Sequence, residues 1–192
     1  MPKRAVLGLF IIVFTLFSAS CAYYEIVKQT ELGGDARSYQ TVSVGWLDLG
    51  EEKWKDYGFE EKNKDDWKTL VLELNLKSLP EFLKRFLPQK TIFTAPSKSR
   101  EPRKEGLLIT FTEVNYAQRT SSGAQIAFGS FAGSDTLDLT IHFTDAQTGN
   151  ELGQVTVSLQ SKAGTGYSSY GFEGRVTNSV YNLARYLGEV LN

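Results

Sequence analysis

Between residues 41 and 192 the hydrophobic positions change period several times, and each change marks an element. Thr41 to Leu49 alternates, with Val42, Val44 and Trp46 on one face, which predicts a first strand. Residues 50–63 (EEKWKDYGFEEKNK) have no such period and read as a loop with a short turn of helix. From Asp65 the spacing becomes helical: Trp67, Leu70, Val71 and Leu74 fall at i, i+3, i+4 and i+7. Asp65 and Asp66 suit the positive end of that helix. Ser78-Leu79-Pro80-Glu81 has capping-box spacing, so a break is expected at Lys77-Ser78. A second short helix then buries Phe82, Leu83, Phe86 and Leu87 and stops at Pro88.

The second half is richer in strands. Thr91–Ala95 is a short one, and residues 96–105, with two prolines, form a polar surface loop. Leu107–Tyr116 alternates with Leu107, Ile109, Phe111 and Glu113 on one side. Residues 118–133 are rich in glycine and serine. A hairpin gives the clearest signal. Leu137, Leu139, Ile141 and Phe143 share a face of Asp135–Asp145, and Val155, Val157 and Leu159 share a face of Glu151–Gln160. Asp145-Ala146-Gln147-Thr148-Gly149 joins them as a type I turn followed by a left-handed glycine. After a loop at 161–169, Phe172, Val176, Val180, Leu183, Ala184, Leu187 and Leu191 form the apolar stripe of a long helix. Glu173, Arg175, Asn178, Asn182, Arg185 and Glu189 are expected on its other side. The order predicts an α/β (α+β) two-layer sandwich: about five mostly antiparallel strands with amphipathic helices on one face.

The amino terminus follows a different rule. Lys3 and Arg4 precede an apolar run, Ala5 to Phe17, broken only by Gly8 and Thr15. Small residues Ser18, Ala19 and Ser20 lead to Cys21, the only cysteine. This is the layout of a secretory signal, with an apolar run shorter than the ~20 residues that span a bilayer. Ser18-Ala19-Ser20-Cys21 resembles a bacterial lipobox, with Ser18 where leucine is usual. The resemblance implies cleavage between Ser20 and Cys21 and acylation of the Cys21 thiol. It also implies attachment to the membrane through those acyl chains. Each buried methylene contributes about 0.8 kcal/mol, and several chains hold a protein where one would release it. Ala22, which is not aspartate, points by the same analogy to the outer membrane facing the periplasm. The expected organisation is a signal peptide at 1–20, an acylated cysteine and tether at 21–40, and one periplasmic α/β domain at 41–192. Tyr23 and Tyr24 beside the anchor suit a membrane interface or packing on the domain.

The domain carries a second resemblance. Arg119, the stretch GAQIAFGSFAG, then TLDLTIHF, DAQTG, VTVSL and RVTNSVYNLARYLGEVL follow in order. That order resembles an uncharacterised family of bacterial envelope lipoproteins of the domain-of-unknown-function kind. The shared pieces are structural and none is catalytic. More distantly, the element order is similar to periplasmic α/β domains of envelope-assembly lipoproteins such as curli-secretion subunits. Fold analogy of this sort says little about function.

Charge and composition narrow the partners. Losing residues 1–20 removes Lys3 and Arg4 from 21 basic residues and leaves 19 against 22 acidic ones, a net charge of −3. That balance argues against nucleic acid as a partner. One cysteine permits no intramolecular disulfide and no zinc-ribbon metal site. No cofactor motif is present: the glycine-rich stretch 123–133 lacks the Gly-Lys-Ser/Thr of a phosphate loop.

Chemistry-bearing residues are few. His142, the only histidine, falls with Asp138 and Thr140 opposite the apolar face of its strand. Four residues of strand separate Asp138 from His142 by ~13 Å at ~3.3 Å per residue, so they cannot form a catalytic pair. Asp145 to Glu151 lacks the residues of a calcium loop and reads as a turn. Lys98, Arg100, Arg103 and Lys104 form a basic run that Glu101 and Glu105 dilute. Trp54, Tyr57 and Phe59 lie in a polar loop without an assigned core role, and Phe128 and Phe131 lie in the glycine-rich stretch. These five are the expected contacts for a partner or ligand. The expectation is a non-enzymatic, lipid-anchored envelope protein that binds a protein partner or a second copy of itself. A small-ligand or glycan binder is the alternative, and a hydrolase is a weaker one.

Overall fold

In the computed structural model the described residues are 24–29, 32, 36–50, 53, 63–117, 135–161 and 171–192. The elements are β1 Tyr24–Gln29, β2 Thr41–Val44, α1 Lys64–Glu73 and α2 Leu79–Phe86. They continue as β3 Thr91–Thr94, β4 Leu107–Ala117, β5 Asp135–Asp145, β6 Glu151–Ser161 and α3 Phe172–Leu191. The strands form one mixed sheet in the order β1-β6-β5-β4-β2-β3. β4, β5, β6 and β1 pair antiparallel, whereas β2 runs parallel to both β3 and β4. This is the expected α+β class, with one strand gained. Tyr24–Gln29 lies in the segment expected to be tether and instead forms an edge strand on β6. Its backbone satisfies groups that an open β6 edge would present to water.

The core lies between the sheet and the helices. Val42, Val44, Leu107, Ile109, Leu137, Leu139, Ile141, Phe143, Val155, Val157 and Leu159 face Trp67, Val71, Leu83, Val180, Leu183 and Leu187, all buried in one cluster. Strand β6 alternates as its sequence predicts, while β4 does not. Thr112 pairs with Thr140 and Asn115 with Asp138, so Glu113 and Val114 together oppose Leu139 in a bulge. The bulge switches the inward positions from Leu107 and Ile109 to Val114 and Tyr116. Glu113, expected on the apolar side, sits instead at the kink with φ 53°.

The helical run from Lys64 to Phe86 has no break. A π-helical turn, Leu74–Ser78, joins α1 to α2, and Ser78 is helical with no side-chain cap. The cause is Asn75. Its buried amide donates to the Val71 carbonyl one turn back and to the Leu47 carbonyl, and accepts from the Leu47 amide at 2.8 Å. The wider turn also relieves Pro80, which has no amide to donate and whose ring crowds the preceding turn. Helix α2 crosses α3 at Gly188, where an added Cβ would lie 2.7 Å from the Phe86 Cβ.

Residues 145–149 form the expected turn. Asp145 Oδ1 accepts from the amides of Gln147 and Thr148, and Gly149 is left-handed at φ 74°. The polar side of α3 departs from expectation. Glu173, Arg185 and Glu189 are exposed, but Arg175, Asn178 and Asn182 are buried. Their partners are polar ends of neighbouring strands: Asp135, the Ser161 hydroxyl and the Gln160 carbonyl. Among the described residues no helix is long and apolar enough to cross a membrane.

Candidate functional site

The residues expected from the sequence to be cleaved, acylated or in contact with a partner or ligand lie outside the described residues: Ser20, Cys21, Trp54, Tyr57, Phe59, Phe128 and Phe131. The other chemistry-bearing residues are placed. His142 faces away from the helices, and its Nε2 shares a 2.8 Å hydrogen bond with the Thr112 hydroxyl. Its Nδ1 lies 3.5 Å from a Glu151 oxygen. Asp138 accepts from the Ser158 hydroxyl at 2.6 Å and does not meet the imidazole. The arrangement is a set of cross-strand polar pairs on a sheet face. Thr140 joins them by donating to Glu113 at 2.9 Å. Among the described residues no group of three or more His, Cys, Asp or Glu side chains could hold a metal ion.

The basic run is largely paired. Lys98 meets Asp48 at 2.8 Å and Lys104 meets Glu101 at 2.8 Å. The Arg103 guanidinium lies 4.6 Å from the centre of the Phe93 ring. These contacts make it a solvated loop with most of its cations engaged.

A buried charged triad lies where β4, β5 and α3 meet. Arg175 Nε donates to Asp135 at 2.5 Å, and the Tyr116 hydroxyl donates to the same oxygen at 2.8 Å. Burial first, then the Asp135 charge, pushes the Tyr116 phenol far above its ordinary range, so it remains a donor. Phe172 packs edge-on against Tyr116 and also meets Trp67. The side chains of Asp135 and Arg175 are wholly inaccessible, which makes this an internal tie.

The concave surface lies elsewhere. Strands β2, β3 and β4 are parallel, and the chain leaving β2 and β3 forms a groove with β4 of about 480 Å³. Gly45, Trp46 and Asp48 contribute from the segment after β2. Lys98 to Pro102 contribute from the loop after β3, and Thr110 and Phe111 from β4. A second hollow of about 300 Å³ shares Asp48 and Phe111 and extends past Gly50 and Lys53 to Thr112, Glu113 and Val114. The carboxyl ends of parallel strands are where open α/β sheets place ligands, because the diverging chain leaves a crevice there.

One feature of the groove and one of the adjoining hollow cost free energy. The Trp46 Nε1 group is buried and has no hydrogen-bond partner among the described residues. Glu113 is the non-glycine residue with positive φ among the described residues, in a region that disfavours a side chain. Asp48 organises the mouth: one oxygen meets Lys98, and the other accepts from the Gly50 amide at 3.1 Å. Sequence analysis placed Trp46 on a face of the first strand with Val42 and Val44, and Lys98 and Arg100 in a surface loop. Their convergence depends on parallel pairing, which alternation along one strand does not encode.

No family model matches this chain, and no curated protein does. Among solved structures it is similar to the PelC dodecamer from Paraburkholderia phytofirmans, at 13% identity and a TM-score of 0.42. That match covers 84% of this chain and 94% of the other. It is also similar to a neuraminyllactose-binding hemagglutinin homolog from Helicobacter pylori, at 11% identity and a TM-score of 0.37. There 89% of this chain and 91% of the other are covered. Likeness of this degree assigns no role to any residue of the groove.

Proposed function

We propose that this protein is a lipid-anchored component of the bacterial cell envelope whose α+β domain binds a partner without performing catalysis. The observation that carries the proposal is the joint pattern at the amino terminus. Two cations, a short apolar run and small residues end at the only cysteine in the chain. Cleavage before Cys21 would make it the new first residue, and its thiol would carry the acyl chains. The domain would then sit at the periplasmic face of the outer membrane, bound to a protein partner or to a second copy of itself.

The test is metabolic labelling with a palmitate analogue in a Gram-negative host, followed by membrane fractionation. Wild type should incorporate label and sediment with membranes. Cys21→Ser should incorporate none and leave the membrane fraction. Labelling that persists in Cys21→Ser overturns the anchor.

A second reading, small-ligand binding by the domain, is favoured by the groove between the carboxyl ends of β2 and β3 and Thr110 and Phe111 of β4. It has the size of a small-molecule site and combines half-buried aromatic residues with convergent polar groups.

A further inference from the structure

We propose that the groove formed by Trp46, Asp48, Arg100, Thr110 and Phe111 binds a neutral pyranose, one or two sugar units in size. The inference rests on the small-ligand reading and names the ligand class. Size comes first: a groove of about 480 Å³ admits one or two hexose rings and falls within the ~300–1,000 Å³ of ordinary ligand sites.

Charge decides between ligand classes. Asp48 is paired with Lys98. The groove is lined by two cations, Lys98 and Arg100, and two anions, Asp48 and Glu101, and therefore has no net charge that would select phosphate, a carboxylate or a cation. What the groove presents are hydrogen-bonding groups. These are the Arg100 guanidinium with its five N–H donors, the Ser99 and Thr110 hydroxyls, and the already oriented Asp48 carboxylate. They match a ligand whose every edge is a hydroxyl that both donates and accepts.

The half-buried Trp46 and Phe111 supply the complementary element. A pyranose is apolar on the face where its axial C–H bonds point, and such a face packs on an aromatic ring while the hydroxyls turn to the polar wall. A lipid chain would find this groove too charged, and a helical peptide would need a broader apolar trough. The uncompensated indole N–H in the groove and the left-handed Glu113 in the hollow beside it are local costs of the kind common where a ligand is held.

The experiment uses the full chain, purified in an amine-oxide detergent so that no glycoside competes. Cellobiose and N,N′-diacetylchitobiose are titrated by calorimetry and by saturation-transfer NMR, with inorganic phosphate as the contrasting probe. At least one disaccharide should bind saturably. Arg100→Ala and Phe111→Ala should each weaken it about tenfold or more. Arg100 is exposed, so its variant should unfold at the wild-type temperature and separates lost binding from lost folding. The pyranose assignment is overturned if neither disaccharide binds up to about 10 mM, far weaker than a working site. It is equally overturned if both variants bind like wild type. Phosphate binding that Arg100→Ala abolishes, without sugar binding, would refute the sugar and leave the small-ligand reading standing. Silence from all three probes would remove both.

Discussion

Asp145 is a residue on which several parts of the fold depend at once. Its carboxylate accepts from the Tyr39 hydroxyl and from the amides of Gln147 and Thr148. The Tyr39 carbonyl is held in turn by the Lys90 ammonium at 2.8 Å. The hairpin turn and the segment before β2 are therefore joined through one side chain. The Tyr39 hydrogen bond first, then the Thr148 amide, lowers the Asp145 carboxyl from its ordinary 3.8 to about 2. A folded-state value below the unfolded one means that protonation favours the unfolded chain. The contribution is complete above about pH 4 and disappears as pH falls toward 2. Asp145→Asn should lower the urea midpoint at pH 7 and flatten its pH dependence between about 4 and 2. The two proteins should converge at the acid end. Parallel acid curves for both would show that this carboxylate is not a source of acid lability.

At the scale of elements, the hydrophobic period was sufficient for most boundaries and failed where polar groups are buried. The span of β5 and the apolar stripe of α3 follow directly from spacing, because Leu137, Leu139, Ile141 and Phe143 on β5 and Val176, Val180, Leu183 and Leu187 on α3 are buried at the strand and helix periods. Asn75 does not announce itself: only β2's extension, 28 residues earlier, makes its amide a core partner. Arg175 misleads for the same reason, since its partner Asp135 is forty residues away and equally hidden. Glu113 shifts the β4 alternation through a bulge that no single-strand pattern specifies. The groove was legible only as scattered residues, because the parallel neighbours that assemble it come from three separate stretches. The Arg175–Asp135 tie yields a prediction at this scale, since it joins α3 to the start of β5. Arg175→Met would leave a buried carboxylate with the Tyr116 donor but without its cation. The cost should be about 3–5 kcal/mol, as for other buried pairs broken from one side. Adding Asp135→Asn should recover much of that loss, because no charge is then stranded. Urea unfolding of the three proteins measures both steps, and a single variant within ~1 kcal/mol of wild type would refute the role assigned to the pair.

For the whole molecule, the decisive question is where the domain begins. A tether can be removed without consequence, whereas a strand cannot. β1 pairs with β6 from Tyr24↔Leu159 to Gln29↔Val155, with a bulge between Ile26 and Lys28. Without β1, β6 becomes an edge strand of 11 residues, with Val155, Val157 and Leu159 anchored in the core and its outer backbone groups unpaired. Long open edges recruit another strand, commonly from a second copy. The same strand starts three residues after Cys21, so an acylated Cys21 would place the sheet edge against the bilayer surface with almost no slack. A chain beginning at Ala36 should therefore unfold at a lower temperature than one beginning at Cys21 and should self-associate at micromolar concentration. Differential scanning calorimetry and size-exclusion chromatography with light scattering report the two effects separately. Equal melting temperatures and two monomeric profiles would return residues 21–35 to the role of tether. A lower melting temperature with a monomeric profile would keep β1 as a structural strand and show that β6 is protected from pairing by other means.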